Sequence, residues 1–168
     1  DMSGAAVFAA EAAYRTGTGL VKVYTHSLNR TVIGNRIPEA VLMTYSDEVE
    51  ALKCAEDAVS WADVILVGPG LGRSGEAEEL LRYVICEAEQ PLVLDADALN
   101  IIAEHRELLD LLHEGCILTP HMKEFERLAG KSVNDFERLN KLSIFANQYR
   151  VHIVLKGAHS VIATLDRR

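Results

Sequence analysis

Four places in this 168-residue chain put chemically useful groups where a strand should end. In the first, Asp63-Val64-Ile65-Leu66-Val67 runs straight into Gly68-Pro69-Gly70-Leu71-Gly72. Glycine admits positive φ and lets main chain approach a ligand at distances any Cβ would block, so this turn can present bare N–H groups. A tight strand-to-helix connection is the plainer use of such residues, but three glycines and a proline exceed what a simple turn needs. The pattern is not a dinucleotide fingerprint, because Arg73 stands where the third glycine belongs, and no Gly-Lys-Ser/Thr marks a P-loop.

The second place is Asp95-Ala96-Asp97 after Leu92-Val93-Leu94. Two carboxylates there suit either capping of the next helix or outer-shell binding of hydrated magnesium, and neither is assigned as a metal ligand. In the third, His121 and Glu124 lie three apart on one helical turn, aimed together at a ligand beside a helix start that favours anions, or else capping that turn. They have no HExxH frame and no cysteine companions, so zinc is not indicated. The fourth, Lys156-Gly157-Ala158-His159-Ser160, offers a cation, backbone N–H groups and a hydroxyl, suited to a nucleotide phosphate or ribose, or forms a plain hairpin turn. His26, His105, His113 and His152 show no partner pattern.

Open α/β sheets bind ligands beyond the carboxyl ends of their strands, and the order of elements predicts such a sheet. Ser3 is expected to cap a helix over 4–15 with a face of small alanines, ended by Gly17 and Gly19. Strands follow at 20–25 and 41–45, then a helix over 47–60. The four apolar residues after Asp63 predict a strand covered on both faces. Ala77, Leu80, Leu81, Val84, Ile85 and Ala88 form the stripe of an amphipathic helix leading to the strand at 92–94. Beyond the strand at 116–118, Thr119 as cap and Pro120 as first helical residue predict a helix over 120–129 closed by Gly130. Asn134 with Glu137 resembles a capping box for a helix carrying Phe136, Leu139, Leu142, Phe145 and Tyr149 on one side. A strand at 151–155 and another at 160–165 then make a hairpin.

The length and 49% hydrophobic content fit one domain with one sizeable core. A net charge of −8 and the lack of a basic stripe set nucleic acid aside. Cys54, Cys86 and Cys116 are widely spaced among apolar residues and read as reduced core thiols. No stretch is apolar enough to span a bilayer and no signal core stands at the N-terminus, so a cytoplasmic protein is expected. The first helix lacks a preceding strand and the last strand a following helix, so the single domain over 1–168 is expected to be a fragment, incomplete at both ends.

Taken together, Ser3-Gly4-Ala5-Ala6, the Gly68–Gly72 turn, Leu94-Asp95-Ala96-Asp97-Ala98-Leu99-Asn100, Thr119-Pro120-His121 with Glu124, and Leu155-Lys156-Gly157 resemble the NAD(P)H-hydrate dehydratases of the ribokinase-like superfamily. The similarity runs in register over nearly the whole chain. It implies an α/β, three-layer αβα fold with a mostly parallel central sheet. It also implies that ADP or ATP, with Mg2+, is consumed to dehydrate NADHX or NADPHX to NADH or NADPH, by phosphorylation of the ring hydroxyl and loss of phosphate. By this resemblance Ala5, Gly72, His121 and Glu124 bind the hydrated dinucleotide, and Lys156, Gly157, Ala158, His159 and Ser160 bind the nucleotide. The family's catalytic aspartate sits in a glycine-rich segment expected beyond Arg168, so the fragment alone is expected to be inactive. A homo-oligomer and a fused or separate NAD(P)HX epimerase are further expectations. Met122-Lys123 replaces the usual Pro-Gly, and His159-Ser160 the usual Gly-Thr. Two rival readings are a small-molecule kinase of the same superfamily, acting on a vitamin precursor or sugar, and a non-catalytic nucleotide-binding module.

Overall fold

Strand pairing divides the chain into two ladders. In the computed structural model, which describes residues 2–165, β1 (Lys22–His26) pairs in parallel with β2 (Val41–Tyr45). A second ladder runs in the order β3 (Ile65–Val67), β4 (Leu92–Leu94), β5 (Cys116–Leu118), β6 (His152–Leu155) and β7 (Val161–Ala163). It is parallel except at the β6–β7 hairpin. The parallel pairs need helical crossovers. While α1 (Ser3–Arg15) precedes β1, α2 (Arg30–Arg36) joins β1 to β2, α3 (Glu48–Trp61) leads from the first ladder to the second, α4 (Gly75–Glu87) joins β3 to β4, α5 (Asp97–Glu104) joins β4 to β5, and α6 (Met122–Ala129) with α7 (Asp135–Tyr149) joins β5 to β6.

The helix starts follow local chemistry. Asp47 caps α3 by accepting from the Glu50 N–H at 2.9 Å, Ser74 caps α4 through Ala77, and Asn134 caps α7 through Glu137 at 2.8 Å. Each such cap is worth about 1 kcal/mol. The Glu137 carboxylate accepts from Val133 rather than from the cap residue, so the predicted box is only half formed.

Alternation along the strands sets the layers. Ile65, Val67, Leu92, Leu94, Leu118 and Ile153 turn into the main core against α3 to α7. Val21, Val23 and Leu42 turn the other way, into a smaller core with Val7, Ala10, Ile33 and Ile37 of α1 and α2. Lys22 and Tyr24, on the opposite face of β1, meet Asp57 of α3 at 2.9 and 2.6 Å. No described helix is long and apolar enough to cross a membrane.

Several expectations are corrected. Ser3 is the first helical residue, not the cap; Met2 holds that position without a side-chain bond. The strand through Val64 is covered on one face only, with Val64 58% and Leu66 44% exposed. Thr119 and Pro120 stay extended, because Thr119 donates its N–H to Leu94 and the Pro120 carbonyl accepts from Lys156 at 2.8 Å, so α6 starts two residues later. Phe136 and Leu139 are exposed, leaving Leu142, Phe145 and Ala146 as the buried side of α7. Cys86 is exposed, whereas Cys54 and Cys116 are buried thiols.

Candidate functional site

Because β3, β4, β5 and β6 are successive parallel neighbours, their carboxyl ends stand side by side and their loops share one edge. The loop after β3 is shaped by glycine at three positive φ angles, 122° at Gly68, 74° at Gly70 and 82° at Gly72. At Gly68 the need is packing: an added Cβ would fall on the carbonyl oxygen of Asp95 and 2.9 Å from the Ala98 Cβ. At Gly72 the need is conformation alone, since the space about it is open. Gly72 therefore presents uncovered backbone, and its N–H donates to the Asp97 carboxylate at 2.9 Å.

That bond settles one of the two readings of Asp97. Ala96, at φ 49°, occupies the cap position of α5, and Asp97 ties the loop after β4 to the loop after β3. Asp95 reaches the other way, accepting from the Lys156 ammonium at 2.6 Å. Lys156 also bridges to His121 in the backbone ladder, so three loop ends meet at this lysine. Its side chain is 43% exposed, leaving the cation open to an anion from solvent.

His121 and Glu124 form a reciprocal capping box. The His121 Nδ1 accepts from the N–H groups of Lys123 at 3.1 Å and Glu124 at 3.2 Å, and the Glu124 carboxylate accepts from the His121 N–H at 2.8 Å. Glu124 is thus a buried structural carboxylate, while the His121 ring is half-exposed and has its Nε2 3.4 Å from Glu124. Capping and ligand contact are compatible for His121; for Glu124 the bonds already made account for its burial.

Ala5 is on the same edge, its Cβ 3.5 Å from where a Cβ on Gly70 would stand. The turn at Gly157, Ala158, His159 and Ser160 is exposed just past Lys156. All the residues picked from the sequence therefore border the ends of β3 to β6 or the start of α1. The structure adds others. A 420 Å³ hollow next to Gly72 is lined by Arg73, Asp97, Asn100, Ala103, Glu104 and Arg127. Arg73 is paired with Glu104 at 2.8 Å and Arg127 with Asn100 at 2.7 Å. The signal for both arginines was positional: Arg73 directly follows the glycine turn, and Arg127 lies one helical turn past Glu124. Among the described residues no cluster of three His, Cys, Asp or Glu is arranged to hold a metal ion.

A mostly parallel sheet between helices, with a glycine turn, an exposed lysine and two helix starts at its strand ends, defines an open α/β protein, the class that binds its ligands beyond the carboxyl ends of the strands. Comparison with known structures makes the fold ribokinase-like: a ribokinase-like superfamily protein from Enterococcus faecalis V583 superposes with a TM-score of 0.83 at 27% identity, over 97% of this chain and 56% of that one. The family model for NAD(P)H-hydrate dehydratase matches residues 1–167, and the chain belongs to that family. The ADP/ATP-dependent NAD(P)H-hydrate dehydratase from Bacillus subtilis, co-crystallized with ATP/Mg2+, is 31% identical with a TM-score of 0.76, over 99% of this chain and 57% of that one. The bifunctional NAD(P)H-hydrate repair enzyme Nnr of Salinibacter ruber is 39% identical over 96% of this chain. The chain spans 31% of that relative's length.

Proposed function

We propose that the protein containing this chain uses ADP or ATP to dehydrate NADHX and NADPHX, returning NADH and NADPH. The observation that supports this most is the joining of four strand ends by Gly72–Asp97, Asp95–Lys156 and His121–Lys156, in a chain of this family. The uncovered backbone at Gly72, with Ala5 and the half-exposed ring of His121, receives the hydrated dinucleotide. Small side chains there let the nicotinamide end lie against main chain. Lys156 and the turn from Gly157 to Ser160 take the nucleotide phosphates by charge-assisted hydrogen bonds.

The chemistry balances without oxidation or reduction. The terminal phosphorus of the nucleotide gains a bond to the ring hydroxyl oxygen as its bond to the leaving phosphate oxygen breaks, and the hydroxyl proton passes to a base. The ring carbon–oxygen bond then breaks, phosphate leaves with the electron pair, and the adjacent ring carbon gives up a proton to form the double bond. Asp95 and Asp97 hold Lys156 and Gly72, and the resemblance to the family gives the role of base to an aspartate of a glycine-rich segment. A magnesium ion bound with the nucleotide would supply charge neutralisation of the phosphates. Epimerisation of the hydrate would come from a fused or separate domain, as the bifunctional Salinibacter relative suggests, and the work is done in the cytoplasm by a homo-oligomer.

The test is to mix the complete gene product with NADHX and ADP and follow the return of reduced-nicotinamide absorbance. Recovery that needs nucleotide supports the reading. Phosphorylation of a thiazole or pyrimidine alcohol without any NADH formed would replace it with a kinase.

A further inference from the structure

The 420 Å³ hollow beside Gly72 is built on one stripe of α5, where Asp97, Asn100 and Glu104 follow one another at three and four residues. Each of the three accepts a hydrogen bond from a neighbouring element: Asp97 from the Gly72 N–H at 2.9 Å, Asn100 from Arg127 of α6 at 2.7 Å, and Glu104 from Arg73 at 2.8 Å. Asn100 lies in the first turn of α5, so its bond holds the Arg127 guanidinium at the carboxyl edge of the sheet. Helical side chains lean toward the start of their helix, which brings a residue six positions past His121 back to that edge.

The two guanidiniums differ in what neutralises them. Arg73 faces a carboxylate, but its side chain and that of Glu104 are 54% and 55% exposed, and ion pairs in such a setting contribute little. Arg127 meets the neutral amide oxygen of Asn100 and, among the described residues, pairs with no carboxylate. A guanidinium carries five N–H donors in a fixed fork, and one nitrogen of each arginine is engaged here. An anionic ligand approaching a chain of net charge −8 needs cations gathered locally. Lys156 supplies one after β6, and Arg73 and Arg127 supply two more beside Gly72.

We infer that Arg73 and Arg127 bind a phosphate group of the dinucleotide, either its pyrophosphate or the 2′-phosphate that marks the NADP form. The inference rests on the proposed contact of the dinucleotide with Gly72 and His121. Gly72 and Arg73 are consecutive, and His121 caps the helix that carries Arg127, so the hollow continues from those contacts along two stretches of chain. A ribose separates the nicotinamide ring from the first phosphate. With the ring against Gly72, the phosphates fall outside the glycine turn, where the two arginines stand. Arg127 donates its remaining N–H groups to the phosphate oxygens as a fork. The same phosphate draws Arg73 from Glu104, whose exposed carboxylate turns to solvent. Glu104 thus competes with the ligand for Arg73.

Calorimetric titration of the complete gene product with NADPH, NADH and ADP tests this, the two reduced dinucleotides standing in for their hydrates. Arg127→Gln should weaken dinucleotide binding about 10-fold or more and Arg73→Gln about 3-fold or more, with ADP affinity unchanged. A loss for NADPH alone puts the 2′-phosphate in the hollow, and an equal loss for both dinucleotides puts the pyrophosphate there; either supports the site. Arg127→Lys keeps the charge without the fork and should recover part of the loss. Wild-type affinity for NADPH should fall more steeply with salt than that of Arg127→Gln. Glu104→Gln should tighten dinucleotide binding about twofold or more, since a competing charge is gone. Unchanged dinucleotide affinity in both arginine variants overturns the proposal. So does weaker binding by Glu104→Gln, or an equal loss of ADP and dinucleotide in Arg127→Gln and Arg127→Lys, which marks Arg127 as structural. Wild-type protein that binds ADP but neither dinucleotide defeats the proposed function itself, and this site with it.

Discussion

Replacing Gly68 and Gly72 separately by alanine distinguishes a glycine required by packing from one required at a ligand. In Gly68→Ala the new methyl occupies the position of the Asp95 carbonyl oxygen, so the loops after β3 and β4 must separate. Separation strains the bonds from Asp95 to the Val67 carbonyl and from Ala98 to the Asp95 carbonyl, both 3.1 Å. Each is worth about 0.5 to 1.5 kcal/mol, and a left-handed non-glycine residue costs about 1 to 2 kcal/mol more, giving a loss of about 2 to 5 kcal/mol. Gly72→Ala meets open space and should lose only the conformational part, about 1 to 2 kcal/mol. Urea unfolding of both variants in the complete gene product measures these losses, and titration with NADHX and with ADP measures binding. Gly72→Ala should weaken dinucleotide binding by about tenfold or more, about 1.4 kcal/mol, with ADP affinity unchanged. Equal stability losses, or a Gly72→Ala protein that binds both ligands normally, would refute the division of labour between these glycines.

Lys156→Ala should weaken nucleotide affinity by about 1 to 3 kcal/mol in a calorimetric titration, while costing under about 1 kcal/mol of stability because its pair with Asp95 is partly exposed. Glu124→Ala removes the carboxylate that accepts from His121 and should lower stability by about 1 to 2 kcal/mol, read from denaturant midpoints. On the acid side, hydrogen bonds from Tyr24 and Lys22 hold the Asp57 carboxyl below its ordinary range, Arg82 does the same for Glu107, and the Val133 N–H and Lys141 for Glu137. Depressed folded values mean that this stability is complete above the unfolded carboxylate pKa of about 4 and is lost as pH falls through the folded values. A melting temperature level near neutral pH should therefore decline below about pH 4, and Asp57→Asn should make that decline shallower. Arg150, left-handed at φ 54° where α7 ends, should gain about 0.5 to 1 kcal/mol on change to glycine, and a lower melting temperature would count against that assignment of strain.

The sequence made the strand ends legible because they carry unusual residues: the turn at Gly68 and the exposed Lys156 stand out against apolar runs. What it hid depends on contacts across the fold. Histidine is an uncommon cap, so the box at His121 is visible only once its Nδ1 is seen to accept from Lys123 and Glu124. Thr119-Pro120 has the composition of a helix start, yet ladder bonds to β4 and β6 keep it extended. Val64 and Leu66 show the limit of reading burial from hydrophobicity, since an apolar run cannot say whether both of its faces have partners. Asp97 was ambiguous between cap and ligand because its real partner, Gly72, lies 25 residues away.

A binding footprint by amide exchange or NMR on the complete gene product, with ADP and with NADPH as an unreactive stand-in for its hydrate, tests the shared edge most directly. The dinucleotide should perturb Ala5, Gly70 to Gly72 and His121, the nucleotide should perturb Lys156 to Ser160, and each ligand should leave β2 and the outer face of α7 untouched. Ligand effects confined to those remote surfaces, with the ends of β3 to β6 silent, would contradict a single site built across these strands.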